Sequence, residues 1–142
     1  MTEAPPSPEV LADKPVRLVG PERVLFGRLL CLLTGSEFTV RVSYAERVFE
    51  SSSTTAFGAL TDVRRLLRAE GLRPAVEGAR LDVYPSRMAL EMGGGRRSYR
   101  RPPEGRPYTV DTFDDVAEED DEKLSSVAEQ RAWIAERVRL RP

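Results

Sequence analysis

Residues 93–101 concentrate side chains that can bind phosphate: three glycines are followed by two arginine pairs with Ser98 and Tyr99 between them. The backbone N–H groups of a glycine-rich turn can face an anion, and arginine holds phosphate oxygens through two parallel hydrogen bonds. A tyrosine ring offers a base a surface on which to stack. The nucleic-acid or phosphate site predicted by this pattern consists of Arg96, Arg97, Tyr99, Arg100 and Arg101, with Arg64, Arg65 and Arg68 as further contacts.

Two other interpretations of residues 93–101 stay open. The segment has neither the spacing of a phosphate-binding loop nor that of a dinucleotide-binding turn. The glycines can end a helix, and the arginines can be the solvated side chains of an edge strand that their charge protects from aggregation. The same arginines can also contact a protein.

A second cluster of ionisable residues lies between residues 114 and 122, where seven of nine positions are acidic. Mutual repulsion of these charges is typical of a solvated linker. A fixed acidic surface would instead attract a basic protein and raise its association rate. The predicted partner-binding residues are Asp114, Asp115, Glu118 and Glu119. No metal site is predicted, because the ligand order of a calcium-binding loop is absent.

The chain contains no histidine and a single cysteine, Cys31. Catalytic triads, imidazole catalysis and zinc sites built from cysteine and histidine are therefore excluded. We expect a protein that is not a conventional enzyme and has no cofactor, with Cys31 as a small buried side chain. An enzyme remains an alternative if carboxylates such as Asp82, Glu91 and Asp111 converge and divide the acid and base roles.

Hydrophobic periodicity predicts the elements that must position these groups. Alternation from Phe38 to Tyr44 is typical of a half-buried strand, which pairs with the apolar run before it across a turn at Gly35. Apolar residues at helical spacing predict helices over residues 54–70 and 126–139. The fold class is therefore α+β, an antiparallel sheet of about four to six strands with two packed helices.

Three large apolar side chains have predicted places in this fold. Met88 and Met92 are separated by one helical turn and are expected to fill a gap in the core. Trp133 is expected to anchor the C-terminal helix against the sheet. Ser126 and Glu129 have the spacing of a capping box, which predicts where that helix begins.

The domain organisation follows from composition. Residues 1–20 are rich in proline, which disfavours helix and strand, so we predict a disordered or loosely docked arm. Residues 21–142 suit one α+β domain, with an acidic linker at 114–123 before the C-terminal helix. The sequence starts without a secretory signal, and its longest apolar run is too short to span a bilayer. We expect a cytoplasmic protein with no membrane contact.

The net charge of −1 conceals a division along the chain. Residues 1–60 carry −1, residues 61–106 carry +5 and residues 107–142 carry −5. The middle part can attract phosphate and the last part a basic protein, or the two parts can neutralise each other.

Residues 53–101 combine a helix, the strand segment LRPAVEGAR and the segment DVYPSRMALEMGGGRRSYR. In this third of the chain the sequence resembles small bacterial α+β proteins of actinobacterial type. Proteins of this size and pattern are similar to immunity and accessory proteins of bacterial conflict systems. The resemblance implies a small binding protein and supplies no catalytic residues.

Two functions are consistent with these observations. The first is a non-enzymatic bacterial protein-binding protein, immunity-like or an adaptor, that uses the acidic segment and the C-terminal helix to bind another protein. The alternative is an arginine-rich nucleic-acid or phosphate-binding module that uses residues 93–101. The sequence leaves the partner's identity and the oligomeric state open.

Overall fold

The computed structural model describes residues 7–139, with side chains for residues 7–137. This part of the chain forms a curled five-stranded sheet, a three-stranded sheet and three α-helices, which confirms the predicted α+β class. The strands of the larger sheet are β1 (Glu9–Val19), β2 (Val24–Thr34), β3 (Glu37–Tyr44), β4 (Arg47–Ser53) and β5 (Arg73–Pro74). The smaller sheet contains β6 (Val83–Tyr84), β7 (Arg97–Arg100) and β8 (Tyr108–Asp111). The helices are α1 (Ala56–Arg68), α2 (Arg87–Gly93) and α3 (Val127–Arg139).

The larger sheet has the order β4-β3-β2-β1-β5, with every pair antiparallel, and α1 packs against one face. Alternate strand residues point into this interface because successive side chains of a strand face opposite sides. The buried residues of the interface include Val16, Leu18, Leu29, Cys31, Val40, Val42, Ala59, Leu60, Val63 and Leu67. Each large aliphatic side chain buried there stabilises the fold by about 1.5–3 kcal/mol. The predicted pairing of β2 with β3 and the predicted burial of Cys31 are both confirmed.

The prediction of an arm over residues 1–20 was wrong for residues 9–19, which form β1 in the interior of the sheet. Val16 and Leu18 are buried in the core. Pro15 is tolerated because β5 pairs only with Leu18 and Val19, so no strand of the sheet covers that side of β1 at Pro15. The structure does not describe residues 1–6, so that part of the prediction lies outside the described residues.

The smaller sheet carries the arginine-rich segment. β7 lies between β6 and β8, and its turn from α2 is held by buried hydroxyl groups. Thr112 Oγ1 donates to the carbonyl oxygen of Gly95 at 2.6 Å and lies 2.7 Å from Ser98 Oγ, so Ser98 donates to Thr112. Gly94 has φ of 66° and lies against the ring of Phe38, which leaves no space for a side chain. β7 pairs with β8 from Arg97 to Arg100.

The prediction that Met88 and Met92 fill a core gap was wrong. Their exposed fractions are 68% and 82%, because α2 is a short helix on the surface with no buried residue. They contribute nothing to the core described above.

The acidic segment, residues 114–122, is a fixed part of the fold and not the predicted linker. A 3₁₀ helix spans Glu118–Lys123. Lys14 Nζ lies 2.8 Å from Asp115 Oδ1, and both terminal nitrogens of Arg17 donate to Asp121, at 2.9 and 2.8 Å. The prediction of a solvated linker at 114–123 was wrong because two cations of β1 offset the repulsion within the segment.

The C-terminal helix α3 begins at the predicted capping box. The backbone N–H of Ser126 donates to Glu129 Oε1 at 2.9 Å, and the backbone N–H of Glu129 donates to Ser126 Oγ at 3.1 Å. Gln130, only 1% exposed, anchors the helix. Trp133 is half-buried and lies outside the core, so its predicted role as anchor was wrong. No helix in the described part of the chain has the length and apolar character needed to cross a membrane.

Candidate functional site

A cleft of about 700 Å³ lies between α3 and the end of the β7–β8 hairpin. We call it the aromatic cleft. Its walls contain five basic side chains, two aromatic rings and two prolines, a combination suited to an anionic ligand with flat groups. The lining residues are Arg80, Leu81, Asp82, Arg100, Arg101, Pro102, Pro103, Tyr108, Lys123, Trp133 and Arg137.

The first wall is formed by the β7–β8 hairpin. Arg100 and Tyr108 are paired across the two strands. Arg100 Nη1 donates to the Tyr108 hydroxyl at 2.7 Å, and the guanidinium lies 5.4 Å from the centre of the Tyr108 ring. The backbone N–H of Arg101 donates to the carbonyl oxygen of Asp82 at 2.8 Å, which fixes the end of β7 beside the cleft. Pro102 follows immediately, so the strand ends there and the chain turns away.

The second wall is formed by α3. Trp133 and Arg137 are one helical turn apart, and the Arg137 guanidinium lies 4.6 Å from the centre of the Trp133 ring. The guanidinium therefore lies over one face of the ring, beside the cleft. This pair begins three residues after Gln130, so the fixed position of Gln130 determines where the ring lies.

Gln130 is tied to the floor of the cleft by four hydrogen bonds. Its Nε2 lies 2.9, 2.8 and 2.8 Å from the carbonyl oxygens of Gly78, Arg80 and Val83, and its two hydrogens are shared among these three acceptors. Its Oε1 accepts from Arg64 Nη1 at 2.7 Å. A buried amide with all these partners is a rigid support, because releasing it would leave several buried polar groups unsatisfied.

A buried ionic network lies beneath the cleft. Arg80 donates to both oxygens of Asp82 at 2.8 Å, and its Nη1 lies 3.4 Å from Asp120 Oδ2. Arg100 Nη2 donates to Glu77, which is only 5% exposed. The hydrogen bond to Asp82 raises the pKa of Arg80 above its ordinary value, despite the opposing effect of burial. Burial lowers the pKa of Arg100, but the hydrogen bond and charge of Glu77 outweigh it, and the net shift is upward.

Some buried atoms of this network have no hydrogen-bond partner: Glu77 Oε2, Arg80 Nη1 and Arg100 Nε. Each such atom costs about 1–3 kcal/mol relative to a satisfied one. Buried polar atoms without a hydrogen-bond partner are uncommon in cores, and here Glu77 Oε2 and Arg80 Nη1 are instead in ion pairs with Arg80 and Asp120.

The structure separates the arginines that the sequence grouped together. Arg100 and Arg101 line the aromatic cleft, whereas Arg96 and Arg97 line a separate depression with Asp111. Tyr99 is half-buried opposite Tyr84 and lines neither depression. The two arginine pairs lie at opposite ends of β7, so the length of the strand separates them.

The predicted acidic surface is only partly available for a partner. Asp114, Glu118 and Glu119 are exposed, and none of them takes part in an ion pair within the described residues. Asp115 is also exposed, but it is paired with Lys14. No group of three acidic or cysteine residues in the described part of the chain is arranged to hold a metal ion.

Sequence reasoning missed most of the cleft. Trp133 with Arg137 was the one available signal, because residues four apart on a helix are neighbours. Tyr108 and Lys123 gave no signal, since each reaches the cleft through contacts with residues far along the chain. One example is the hydrogen bond from the backbone N–H of Leu81 to the carbonyl oxygen of Lys123, at 2.8 Å.

Comparison with models of known protein families and with curated protein sequences gives no match. The resemblance to small proteins of conflict systems therefore stays a prediction.

Proposed function

We propose that this chain is a cytoplasmic, non-catalytic binding protein whose aromatic cleft takes a segment of single-stranded nucleic acid. The observation that carries the proposal is the presence of Trp133 and Tyr108 among five basic side chains in one cleft. This is the alternative function expected from the sequence, with Arg100 and Arg101 kept and the aromatic ring of Tyr99 replaced by those of Tyr108 and Trp133.

The basic side chains supply the attraction to phosphate. Lys123 and Arg137 line the cleft, are exposed and take part in none of the ion pairs of the described residues beneath it, so their charges face the ligand space. Contacts of this kind release counterions and do not depend on base sequence. They account for affinity and place the strand along the cleft.

The aromatic rings favour a single strand over a duplex. Bases in a duplex are stacked on each other and present only their edges, whereas unpaired bases can lie flat on protein rings. Each such stacking contact contributes about 1–3 kcal/mol and accepts every base. A cleft of about 700 Å³ with two rings suits a short stretch of unpaired nucleotides.

The decisive experiment uses the intrinsic fluorescence of Trp133, because it is the one tryptophan of the chain. The protein is titrated at low salt with single-stranded DNA and RNA of about 12 nucleotides. We expect quenching on saturation, and an affinity in a parallel anisotropy assay that weakens about 5- to 150-fold in Trp133→Leu. In Arg137→Gln, the plot of the logarithm of affinity against the logarithm of salt concentration should become less steep by about 0.7.

The matched control is Arg41→Gln, which removes an exposed arginine from the sheet face opposite α1. It should bind as the parent does. Binding that is equally weakened in the control, or equally tight in Trp133→Leu, would overturn the proposal. Tighter binding to duplex than to single strands would also contradict it.

A protein partner on the acidic segment is the second candidate function. It is favoured by the ion pairs of Lys14 and Arg17, which hold the segment in one conformation. The exposed carboxylates of Asp114, Glu118 and Glu119 are thereby presented on a fixed surface, which lowers the entropic cost of binding. An immunity-like or adaptor role would use this surface.

The test of this second function is a variant with Asp114→Asn, Glu118→Gln and Glu119→Gln, which leaves both ion pairs intact. A basic protein captured stoichiometrically by the parent should be lost by this variant and retained by Arg137→Gln. Retention by the triple variant, or loss by both, would refute the acidic surface as the binding site.

A further inference from the structure

A second depression of about 420 Å³ lies on the other side of α3 from the aromatic cleft. Val127, Ala128 and Arg131 face it, whereas Trp133 and Arg137 face the aromatic cleft. The two sets are on different sides of the helix because each residue turns it by about 100°. We call this depression the arginine pocket. Its basic lining residues are Arg64, Arg65, Arg68, Arg73 and Arg131.

Arg64 forms the floor of the arginine pocket and is 4% exposed. Its guanidinium donates to the carbonyl oxygens of Gly78 at 3.2 Å and Ser125 at 3.0 Å, and to Gln130 Oε1 at 2.7 Å. All three acceptors are neutral. A buried cation without a carboxylate partner is unusual, since buried charges are normally paired.

The other arginines make the environment of Arg64 more positive. Burial is the largest effect and the charges of Arg73, Arg65 and Arg131 add to it, and together they lower the pKa of Arg64 to about 10. The guanidinium is still charged at neutral pH, so the folded chain carries the cost of this repulsion. Perturbed groups of this kind in a cavity are typical of binding sites.

Few carboxylates compensate these charges. Arg65 is 3.1 Å from Asp62 and Arg73 is 3.4 Å from Glu129, and all four side chains are substantially exposed. Within the described residues, neither Arg64 nor Arg68 nor Arg131 takes part in an ion pair. The pocket therefore keeps an excess of about three positive charges, which a ligand with several negative charges can offset.

The shape and chemistry of the donors favour phosphate. Guanidinium groups bind phosphate oxygens through paired hydrogen bonds, and arginine is the residue type most often used for this purpose. The first turn of α3, at Val127 and Ala128, adds the positive end of a helix dipole to the same wall. The volume lies within the range of small-ligand sites.

We infer that the arginine pocket is a binding site for a small ligand that carries a diphosphate or triphosphate chain. The inference is independent of the proposed function, because α3 separates the pocket from the aromatic cleft. The phosphate chain can belong to a free inorganic polyphosphate or to a nucleotide. These two sources share the chemistry that the arginines recognise.

The experiment is isothermal titration calorimetry of the full chain at low salt with sodium tripolyphosphate and with ATP, both without divalent metal. We expect saturable binding of one ligand per chain. Equal affinities would mean that the pocket holds the phosphate chain alone, and tighter binding of ATP would mean that the nucleoside adds contacts; both results support the site. Citrate at the same concentration should bind at least tenfold more weakly.

The variants Arg68→Gln and Arg131→Gln change exposed side chains and leave buried Arg64 untouched. Each should weaken binding of tripolyphosphate by about tenfold or more, since each removes a charge-assisted hydrogen bond. Arg41→Gln, on the far face of the larger sheet, is the matched control and should bind as the parent does.

Three results would overturn the inference. The first is the absence of saturable heat beyond that of sodium chloride at the same ionic strength. The second is parental affinity in both Arg68→Gln and Arg131→Gln. The third is citrate binding as tightly as tripolyphosphate, which would show that the pocket does not select phosphate.

Discussion

The aromatic cleft and the arginine pocket lie on two sides of one helix, α3, and their buried arginines have different hydrogen-bond partners. Under the cleft, Arg80 and Arg100 are each bound to a buried or half-buried carboxylate. In the pocket, Arg64 is bound only to neutral oxygens, and like charges surround it. Charge is balanced within the fold on one side and left unbalanced on the other.

This difference shows that the number of arginines in a region says little about what it does. A paired arginine is part of the architecture, and removing it exposes an uncompensated carboxylate. An arginine surrounded by other cations raises the energy of the folded chain until an anion arrives. An arginine that is paired with a buried carboxylate supports the fold, whereas an arginine that has only cations around it is available to bind an anion.

The largest effect is expected from Gln130→Ala, because Gln130 joins the two regions. It donates to carbonyl oxygens under the cleft and accepts from Arg64 in the pocket. Loss of these bonds and of a buried side chain should lower the free energy of unfolding by about 3–5 kcal/mol. Urea denaturation followed by circular dichroism measures this. Glu136→Ala, exposed on the same helix, should change it by less than about 0.5 kcal/mol.

Arg100→Gln tests the balanced side. Glu77 is 5% exposed and would lose its closest cation, so the free energy of unfolding should fall by about 2–3 kcal/mol. Arg106→Gln, which removes an exposed arginine from the loop between β7 and β8, is the matched control and should be close to neutral. If Arg100→Gln is equally neutral in denaturation experiments, the network under the cleft does not support the fold.

Glu129→Gln removes a carboxylate at the edge of the arginine pocket, and its effect on stability should depend on pH. Hydrogen bonds from the backbone and side chain of Ser126 hold the pKa of Glu129 below its ordinary value. A depressed carboxyl pKa stabilises the fold above the unfolded value of 4.5, and this contribution is lost as pH falls below it. Because Glu129 is exposed, the parent should be more stable than the variant by less than about 1 kcal/mol at neutral pH.

The same variant also sharpens the comparison of the two regions. The difference in stability between parent and Glu129→Gln should shrink as the pH falls below 4.5 and through the lowered pKa of Glu129, and glutamine can still form the capping box. Loss of the negative charge beside Arg73 should also tighten binding of tripolyphosphate to the pocket. A difference in stability that is constant from pH 7 to pH 3 would contradict the role of the carboxylate charge.

Arg131→Gln gives the smallest effect, and its sign is opposite to that of Arg100→Gln. Removing one of the charges that act on Arg64 should raise the free energy of unfolding by up to about 0.5 kcal/mol at low salt. At about 1 M salt the gain should vanish, because the screening length falls to about 3 Å. If urea denaturation shows that Arg131→Gln is less stable than the parent, repulsion between Arg131 and Arg64 does not destabilise the folded chain.

Local patterns in the sequence predicted the local structure well. The alternation from Phe38 to Tyr44, the periodicity of α1 and the spacing of Ser126 and Glu129 each depend on residues that are close in the chain. β1 was missed because the prolines before and within it conceal the alternation of Val16 and Leu18. A proline has no backbone N–H, but this matters little at a position where no neighbouring strand accepts a hydrogen bond from it.

The candidate sites were predictable only in part, because they depend on distant contacts. The acidic side chains of residues 114–122 repel each other, but the positive charge that compensates them is that of Arg17, which is 104 residues away from its partner Asp121. Gln130 bonds to Gly78 across 52 residues, and no local pattern indicates this. The sequence predicted Arg96, Arg97, Arg100 and Arg101 as one site, but it did not show that the two pairs lie at opposite ends of β7 and line separate depressions.

The contact of Arg17 with Asp121 also sets the order of events during synthesis. The first strand of the sheet is made early, but the carboxylate that holds its arginine is added 104 residues later. At a synthesis rate of about 5–20 residues per second, roughly 5–20 s pass between the synthesis of Arg17 and that of Asp121. The contact that fixes Arg17 of β1 is thus completed only after Asp121 has been synthesised.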